Sequence, residues 1–321
     1  MFFYILMIIL GFVLLVFGAD LLVKGSSNIA KKFHIPETLI GLTIVALGTS
    51  APELIITITS ATSNATELII GNAIGSNLCN LLLIIGIMSI ITPIAFDKEI
   101  VILHLPLSLF ATFVILFMEL SSFTSSTAML NRIDGIILLI MFTVYFSYPI
   151  LIEIKDIIAN FKANSKNDEY KSINIFLSIL FIIIGVVLLK YGGDFVVDYS
   201  TYIAQEFNIS ERVIGLTIVA IGTAMPEFIT SIIAVIKKDT DLAVGNLIGS
   251  CVLNLFLILG IGAIITPLPF SNEFNQSLIL LIITNAVLLV FNFIGKKNTI
   301  TRFKGFALLI IFSLYMAGLF I

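Results

Sequence analysis

The sequence predicts an all-α membrane protein of ten transmembrane helices, arranged as two inverted five-helix repeats. Three observations carry this expectation. The chain has 321 residues, of which 59% are hydrophobic and 12% charged, with a mean hydropathy of +1.15. Soluble domains carry about 25% charged residues. Residues 17–96 align without a gap to residues 191–270 at a constant offset of 174, Gly41 falling on Gly215, with about half of the positions identical. Each copy centres on a carboxylate in an apolar stretch: Gly41-Leu-Thr-Ile-Val-Ala-Leu-Gly-Thr-Ser-Ala-Pro-Glu53 and Gly215-Leu-Thr-Ile-Val-Ala-Ile-Gly-Thr-Ala-Met-Pro-Glu227.

Apolar runs long enough to span a bilayer lie near 2–23, 38–62, 68–92, 99–120, 133–154, 173–191, 212–236, 242–266, 275–295 and 303–321. The first opens without a basic segment, so it reads as a retained helix rather than a cleaved signal. The second and seventh contain Pro52 and Pro226. The third and eighth follow Glu67 and Asp241, whose charge suits a helix N-terminal dipole. The longest polar interruption, Lys155 to Lys171, is rich in Asn, Lys, Asp and Ser. It divides the chain into a first repeat (1–155), a linker (156–172) and a second repeat (173–321). After an odd number of crossings the second repeat enters from the opposite face, so the halves are inverted copies.

Orientation follows from the basic residues. The loops after odd-numbered helices hold Lys24, Lys31, Lys32, Lys98, Lys155, Lys162, Lys166, Lys171, Lys237, Lys238, Lys296, Lys297, Arg302 and Lys304; the other side has Arg132, Lys190 and Arg212. This bias places the linker in the cytoplasm and both termini outside. The net charge of −3 offers no nucleic-acid footprint. Cys79 and Cys251, both in apolar segments, read as free buried thiols. No His-Glu-x-x-His or Gly-x-Ser-x-Gly pattern marks an intramembrane enzyme.

A bare carboxylate at the bilayer centre costs about 2.5–3.5 kcal/mol on insertion scales, so two at equivalent positions read as a shared cation site. Pro52 has no N–H to give the carbonyl of Gly48, and Pro226 frees that of Gly222. Each helix should therefore kink or break there. Glu53 lies one turn after Thr49, and Glu227 one turn after Thr223, so each acid shares a face with a hydroxyl. Carboxylate, hydroxyl and carbonyl oxygens suit a hard cation such as Ca²⁺. A second motif, Gly71-Asn-Ala-Ile-Gly-Ser76-Asn-Leu-Cys-Asn80, recurs as Gly245-Asn-Leu-Ile-Gly-Ser250-Cys-Val-Leu-Asn254. Its glycines fit close helix packing. Ser76 with Asn80, and Ser250 with Asn254, each face one way and are assigned to the ion. Asn72 and Asn246 are assigned to helix-to-helix hydrogen bonds. Asp20 and Asp194, a further matched pair, are placed at helix ends or interfaces, and His34 and His104 in loops or interfaces.

Gly48-Thr-Ser-Ala-Pro-Glu53 with Gly71-Asn-x-x-Gly-Ser-Asn, and their echo in the second half, resemble the paired α-repeats of sodium/calcium exchangers, prokaryotic-type members of the calcium/cation antiporter superfamily. The resemblance covers almost the whole chain. It implies antiport of Na⁺ against Ca²⁺ by alternating access, with no cofactor and with the transported ions and the bilayer as partners. Glu53 and Glu227 would be the central acids. Thr49, Ser50 and Thr223 would add hydroxyl or backbone oxygens, and the carbonyls of Ala46 and Ala220 would complete flanking Na⁺ sites. Ser76 and Ser250 would line those outer sites, with Asn80 and Asn254 in the middle. A monomer would contain the whole site, and the expected location is the plasma membrane.

Two departures stand out. Ala224 occupies the position of Ser50, so one hydroxyl ligand is missing, and Asn254 stands where potassium-dependent relatives have an aspartate. A proton/calcium antiporter is the main alternative, although the Gly-Asn-Ala-x-Glu pattern of those relatives is matched only loosely by Asn64-Ala-Thr-Glu67, which has no second-half echo. Mg²⁺ or Mn²⁺ would find the same ligand types, but Mg²⁺ usually keeps several waters. A passive channel fits less well, because channels ring a symmetric axis.

Overall fold

The computed structural model describes residues 2–33, 35–63, 65–120, 129–164, 174–207, 220–270 and 272–318. The first half contains α1 (Phe2–Phe33), α2 (Glu37–Thr49), α3 (Ala51–Thr62), α4 (Thr66–Ile91), α5 (Ile100–Glu119) and α6 (Arg132–Asn164). The second contains α7 (Ile175–Glu206), α8 (Ala220–Thr223), α9 (Met225–Ile236), α10 (Thr240–Ile265), α11 (Asn272–Phe293) and α12 (Arg302–Gly318). Among the described residues seven helices are long and apolar enough to cross a membrane, or eight if the bent α2–α3 pair is one span. The molecule is thus a multi-pass helical membrane protein. Of the ten expected spans, α9 and α12 are short as described, with 12 and 17 residues.

The matched segments α4 and α10 form the centre. Their most apolar windows are 72% and 78% buried, against 22% for α1 and α7. Their interior is aliphatic, with Leu78, Leu81, Leu82, Ile85, Leu253, Leu255 and Leu259 sealed from the surface. α1 and α7 pack mainly on each other. Gly11 meets the carbonyl of Gly192, Gly18 that of Gly185, and Gly25 that of Ser178, so numbers rise along one helix as they fall along the other. The two equivalent helices run antiparallel.

Contacts between the halves are extensive. The end of α4 lies against α12 through Gly86 and Gly305, and the end of α10 against α6 through Gly260 and Gly135. Two short antiparallel ladders also join the halves. Strand β1 (Ile94–Ala95) pairs with β4 (Thr299–Ile300), and β2 (Met129–Leu130) with β3 (Leu268–Pro269).

Several expectations need correction. α1 runs to Phe33 rather than about 23, because Lys24, Lys31 and Lys32 are helical as well. Lysines in a last turn complement the C-terminal dipole, and their stems snorkel out of the bilayer. Likewise α7 extends to Glu206 rather than 191. Asp20 and Asp194 are consequently inside helices, not at their ends. Asp20 binds Lys24 and Lys237, each at 2.7 Å, and Asp194 binds Lys190 at 2.7 Å, so each charge is compensated within the fold. α6 continues to Asn164, carrying helix into the first part of the expected linker; residues 165–173 lie outside the described set. Of the two places expected for His104, a loop or an interface, it takes the second: it is buried where α5 meets α6, and its Nδ1 lies 3.2 Å from the Tyr145 hydroxyl. His34 falls outside the described residues. Glu67 and Asp241 occupy the first turns of α4 and α10, as the dipole argument expects, and both cysteines are free and buried.

The packing glycines are seen clearly in the second motif. A Cβ on Gly245 would sit 2.4 Å from the Thr38 carbonyl oxygen, and one on Gly249 would sit 2.6 Å from that of Leu42. The residues equivalent to Thr38 and Leu42 in the other half are 212 and 216, outside the described set. Gly245→Ala is expected to destabilise the fold by about 1–3 kcal/mol, because backbone rather than a flexible side chain opposes the new methyl. A melting curve of the detergent-purified variant checks this; an unchanged midpoint would show that α2 and α10 are not packed so closely.

Candidate ion-binding site

The proline arithmetic is realised as a break in both halves. α2 and α3 meet at 44° around Ser50, which has φ −83° and ψ 5°. The equivalent joint between α8 and α9 is Ala224, with φ −82° and ψ 1°. Pro52 and Pro226 fall within the first two positions of the new helices. A proline there loses nothing, since its missing N–H would have no intrahelical partner. Each acid therefore sits in the first turn of a fresh helix, where the dipole favours negative charge. α4 and α10 widen into π-helical turns at Cys79–Ile84 and Asn254–Ile258, so both motif asparagines lie at such a turn. Bulges of this kind collect at functional sites.

Glu53 and Glu227 are each 1% exposed. No basic side chain pairs with either among the described residues. A buried charge without a partner is costly, so the pair requires a cation or protons.

Around Glu227 the neutral ligands form a network. Ser50 donates to Oε1 of Glu227 at 3.2 Å and Ser250 donates to the same oxygen at 3.3 Å. The two hydroxyls lie 2.9 Å apart, and Asn80 Nδ2 donates to Ser250 at 3.3 Å. Ser50 belongs to the first half and Glu227 and Ser250 to the second, so the network crosses between them. The single Thr49 hydroxyl proton has three acceptors within reach: the carbonyls of Val45 and Ala46, at 3.2 and 3.4 Å, and Asn246 Oδ1 at 3.0 Å. The Ala46 carbonyl also accepts the Ser50 N–H at 3.0 Å, so it has a lone pair for an ion when the Thr49 proton points to one of its other acceptors.

Around Glu53 the picture differs. Both of its carboxylate oxygens are buried with no hydrogen-bond partner among the described residues, as are Ser76 Oγ, Asn80 Oδ1, Asn254 Oδ1 and the second oxygen of Glu227. Asn254 Nδ2 donates to Asn77 Oδ1 at 3.0 Å, and Asn77 Nδ2 donates to the Cys251 carbonyl at 3.0 Å. Unpartnered buried oxygens are rare in folded proteins and call for an explanation. Buried carboxylate, hydroxyl and amide oxygens of this kind are the ligand types a hard cation takes. Thr223 and the Ala220 backbone are on α8, immediately before the break.

The profile of the family described as sodium/calcium exchanger protein matches residues 3–151 and 177–321. The chain belongs to the sodium/calcium exchanger family. It is 34% identical over 322 residues to the putative antiporter CaxA of Alkalimonas amylolytica, covering 98% of this chain and 97% of that one. It is 30% identical over 343 residues to the sodium/calcium exchanger MaX1 of Methanosarcina acetivorans, covering 98% of each. Among solved structures, the sodium-calcium exchanger NCX_Mj superposes with a TM-score of 0.81 at 30% identity, covering 98% of both chains. The family is one of transporters, not enzymes.

In this exchanger the structure adds residues that the motifs did not single out. Asn77 links the two central helices, and Ser231 receives a bond from Asn246 Nδ2 at 3.3 Å. Thr57 and Thr230 are fully buried with unpartnered hydroxyls. They lie four and three residues after the two acids, a spacing that could have flagged them. Glu119, also buried, accepts from Asn275 at 3.0 Å; neither residue belongs to the repeated motifs. Asn246 makes the helix-to-helix bonds assigned to it, whereas Asn72 Nδ2 has no partner. Asn246→Ala leaves the Thr49 and Ser231 hydroxyls without this partner. The expected cost is about 1–3 kcal/mol, measured as a lower thermal midpoint; wild-type stability would remove Asn246 from the scaffold of the site.

Proposed function

We propose that this protein exchanges Na⁺ for Ca²⁺ across the plasma membrane by alternating access. The observation that carries this reading is the pair of buried carboxylates without basic partners, set among unpartnered neutral oxygens from both halves. Two carboxylates balance one Ca²⁺ or two Na⁺. Competition for the same acids then couples the two fluxes. NCX_Mj, itself a sodium-calcium exchanger, was studied after soaking with Na⁺ and Ca²⁺, which supports the same cargo here. With three Na⁺ per Ca²⁺ one net charge crosses per cycle, and the membrane potential contributes about 2.3 kcal/mol per 100 mV. An inward Na⁺ gradient and a negative interior then drive Ca²⁺ out. With an amide at Asn254 the pocket has two acids, not three, which argues against a K⁺ requirement.

The architecture behind this reading is ten helices in two inverted repeats, 1–155 and 173–321, joined by a cytoplasmic linker at 156–172 with both termini outside. The antiparallel packing of α1 on α7 supports the inversion. The ion set is Glu53, Glu227, Thr49, Thr223, Ser50, Ser76, Ser250, Asn80 and Asn254, with the carbonyls of Ala46 and Ala220. One monomer carries all of it.

The decisive experiment is Ca²⁺ uptake into Na⁺-loaded proteoliposomes diluted into Na⁺-free, K⁺-free buffer without a pH gradient. Uptake that collapses when internal Na⁺ is replaced by choline is the expected result. Uptake that persists in choline and follows an imposed pH gradient would establish proton coupling instead. In the same assay Glu53→Gln and Glu227→Gln should each cut exchange by about a hundredfold or more, since each removes half of the charge that holds a divalent ion. Normal exchange by either folded variant would refute this site.

A further inference from the structure

Apart from the paired acids, one more buried carboxylate lacks a counter-charge. Glu119 ends α5 and is 1% exposed. Its Oε1 accepts the amide N–H of Asn275, in the first turn of α11, at 3.0 Å. Its Oε2 is buried with no hydrogen-bond partner among the described residues, and so is Oδ1 of Asn275. The one bond between these side chains thus leaves a spare acceptor on each. No basic group pairs with Glu119 among the described residues. The next basic residue along the chain, Arg132, is exposed. Phe274, beside Asn275, packs on the Phe270 ring and lies against Gly71 of α4, so the start of α11 brings apolar surface and no compensating charge.

The pair has no second copy. α5 and α11 are counterparts under the offset of 174, one from each half, and they pack on each other. The offset carries Glu119 to Phe293 and Asn275 to Val101. An acid and an amide therefore meet at one end of this helix contact, and the equivalent positions at the other end are apolar. The polar end is where α5 stops and α11 begins, next to the chain segments that form the β2–β3 ladder.

We propose that Glu119 and Asn275 form a second cation site, for one Na⁺ ion, that fastens the two halves together at this end. A buried carboxylate has to be matched by positive charge. The spare carboxylate and amide oxygens are ligands that a hard cation takes, and water supplies the others. One negative charge balances one monovalent ion, whereas a divalent ion would leave the site charged. The ion belongs to the joint between α5 and α11 and is not part of the exchanged load. The proposal stands or falls independently of what the Glu53–Glu227 site carries.

The test uses detergent-purified Glu53→Gln/Glu227→Gln protein, whose exchange acids are neutral. Its thermal midpoint is measured in NaCl and in choline chloride at equal ionic strength and fixed pH. Na⁺ should raise the midpoint by about 2–4 °C, and adding Glu119→Gln should abolish the rise. No rise, or a rise that survives Glu119→Gln, overturns the proposal. A midpoint that depends on Glu119 and follows pH but not Na⁺ also overturns it, by making the bound charge a proton. Should the double variant or Glu119→Gln not fold, Asn275→Ala in otherwise wild-type protein decides. Loss of the amide should shrink the Na⁺-dependent rise by about 2 °C or more, and an undiminished rise overturns the proposal.

Discussion

Two carboxylates buried in an apolar interior without basic partners dominate this structure. An isolated charge in a low-dielectric medium is so costly that the surroundings must be organised around it. The organisation is visible at every level. Both acid-bearing helices are interrupted so that each acid lies at a helix start, where backbone amides favour it. The chain around them supplies neutral oxygens rather than ammonium groups, which would neutralise the acids permanently. Lysines are kept for other carboxylates: Lys24 and Lys237 hold Asp20, and Lys190 holds Asp194. The two acids of the motifs are left without a basic partner among the described residues.

Much of this was legible in the sequence because the repeat is exact in register. The gapless offset located both acids, both prolines and both Ser–Asn pairs, and the prolines dictated the breaks at Ser50 and Ala224. Helix ends were harder to place. Hydropathy marks where lipid stops, not where hydrogen bonding stops, and α1 keeps its helix through Lys24, Lys31 and Lys32. For that reason Asp20 and Asp194 lie inside helices rather than near their ends, although Asp20 does sit at an interface, paired with Lys237. His104, Asn77 and the Glu119–Asn275 pair were out of reach because their partners are distant in sequence. No periodicity encodes Tyr145 opposite His104.

Internal symmetry also serves as a reference. Because each residue of the motifs has a counterpart, a bond made once and not twice identifies a substitution that matters. The amide nitrogen of Asn246 bonds to Ser231, yet that of Asn72 has no partner among the described residues. Gly245 touches the Thr38 backbone, while its counterpart Gly71 meets only the Phe274 ring among the described residues. Duplicated halves of one chain have diverged in how they are bonded more than in how they are folded.

The packing between halves bears on how such a chain is made. α4 finds its neighbour in α12, the last helix, and α10 leans on α6 of the first half. The two halves share packing surfaces. During synthesis, the early helices enter the membrane well before the ribosome has produced Glu227 or Ser250. Until then Glu53 and Asn80 have none of the second-half oxygens that later surround them, and they must be sheltered by water, lipid headgroups or the insertion machinery. The hydrogen-bonded network around Glu227, which needs Ser50 from one half and Ser250 from the other, is therefore completed late in synthesis.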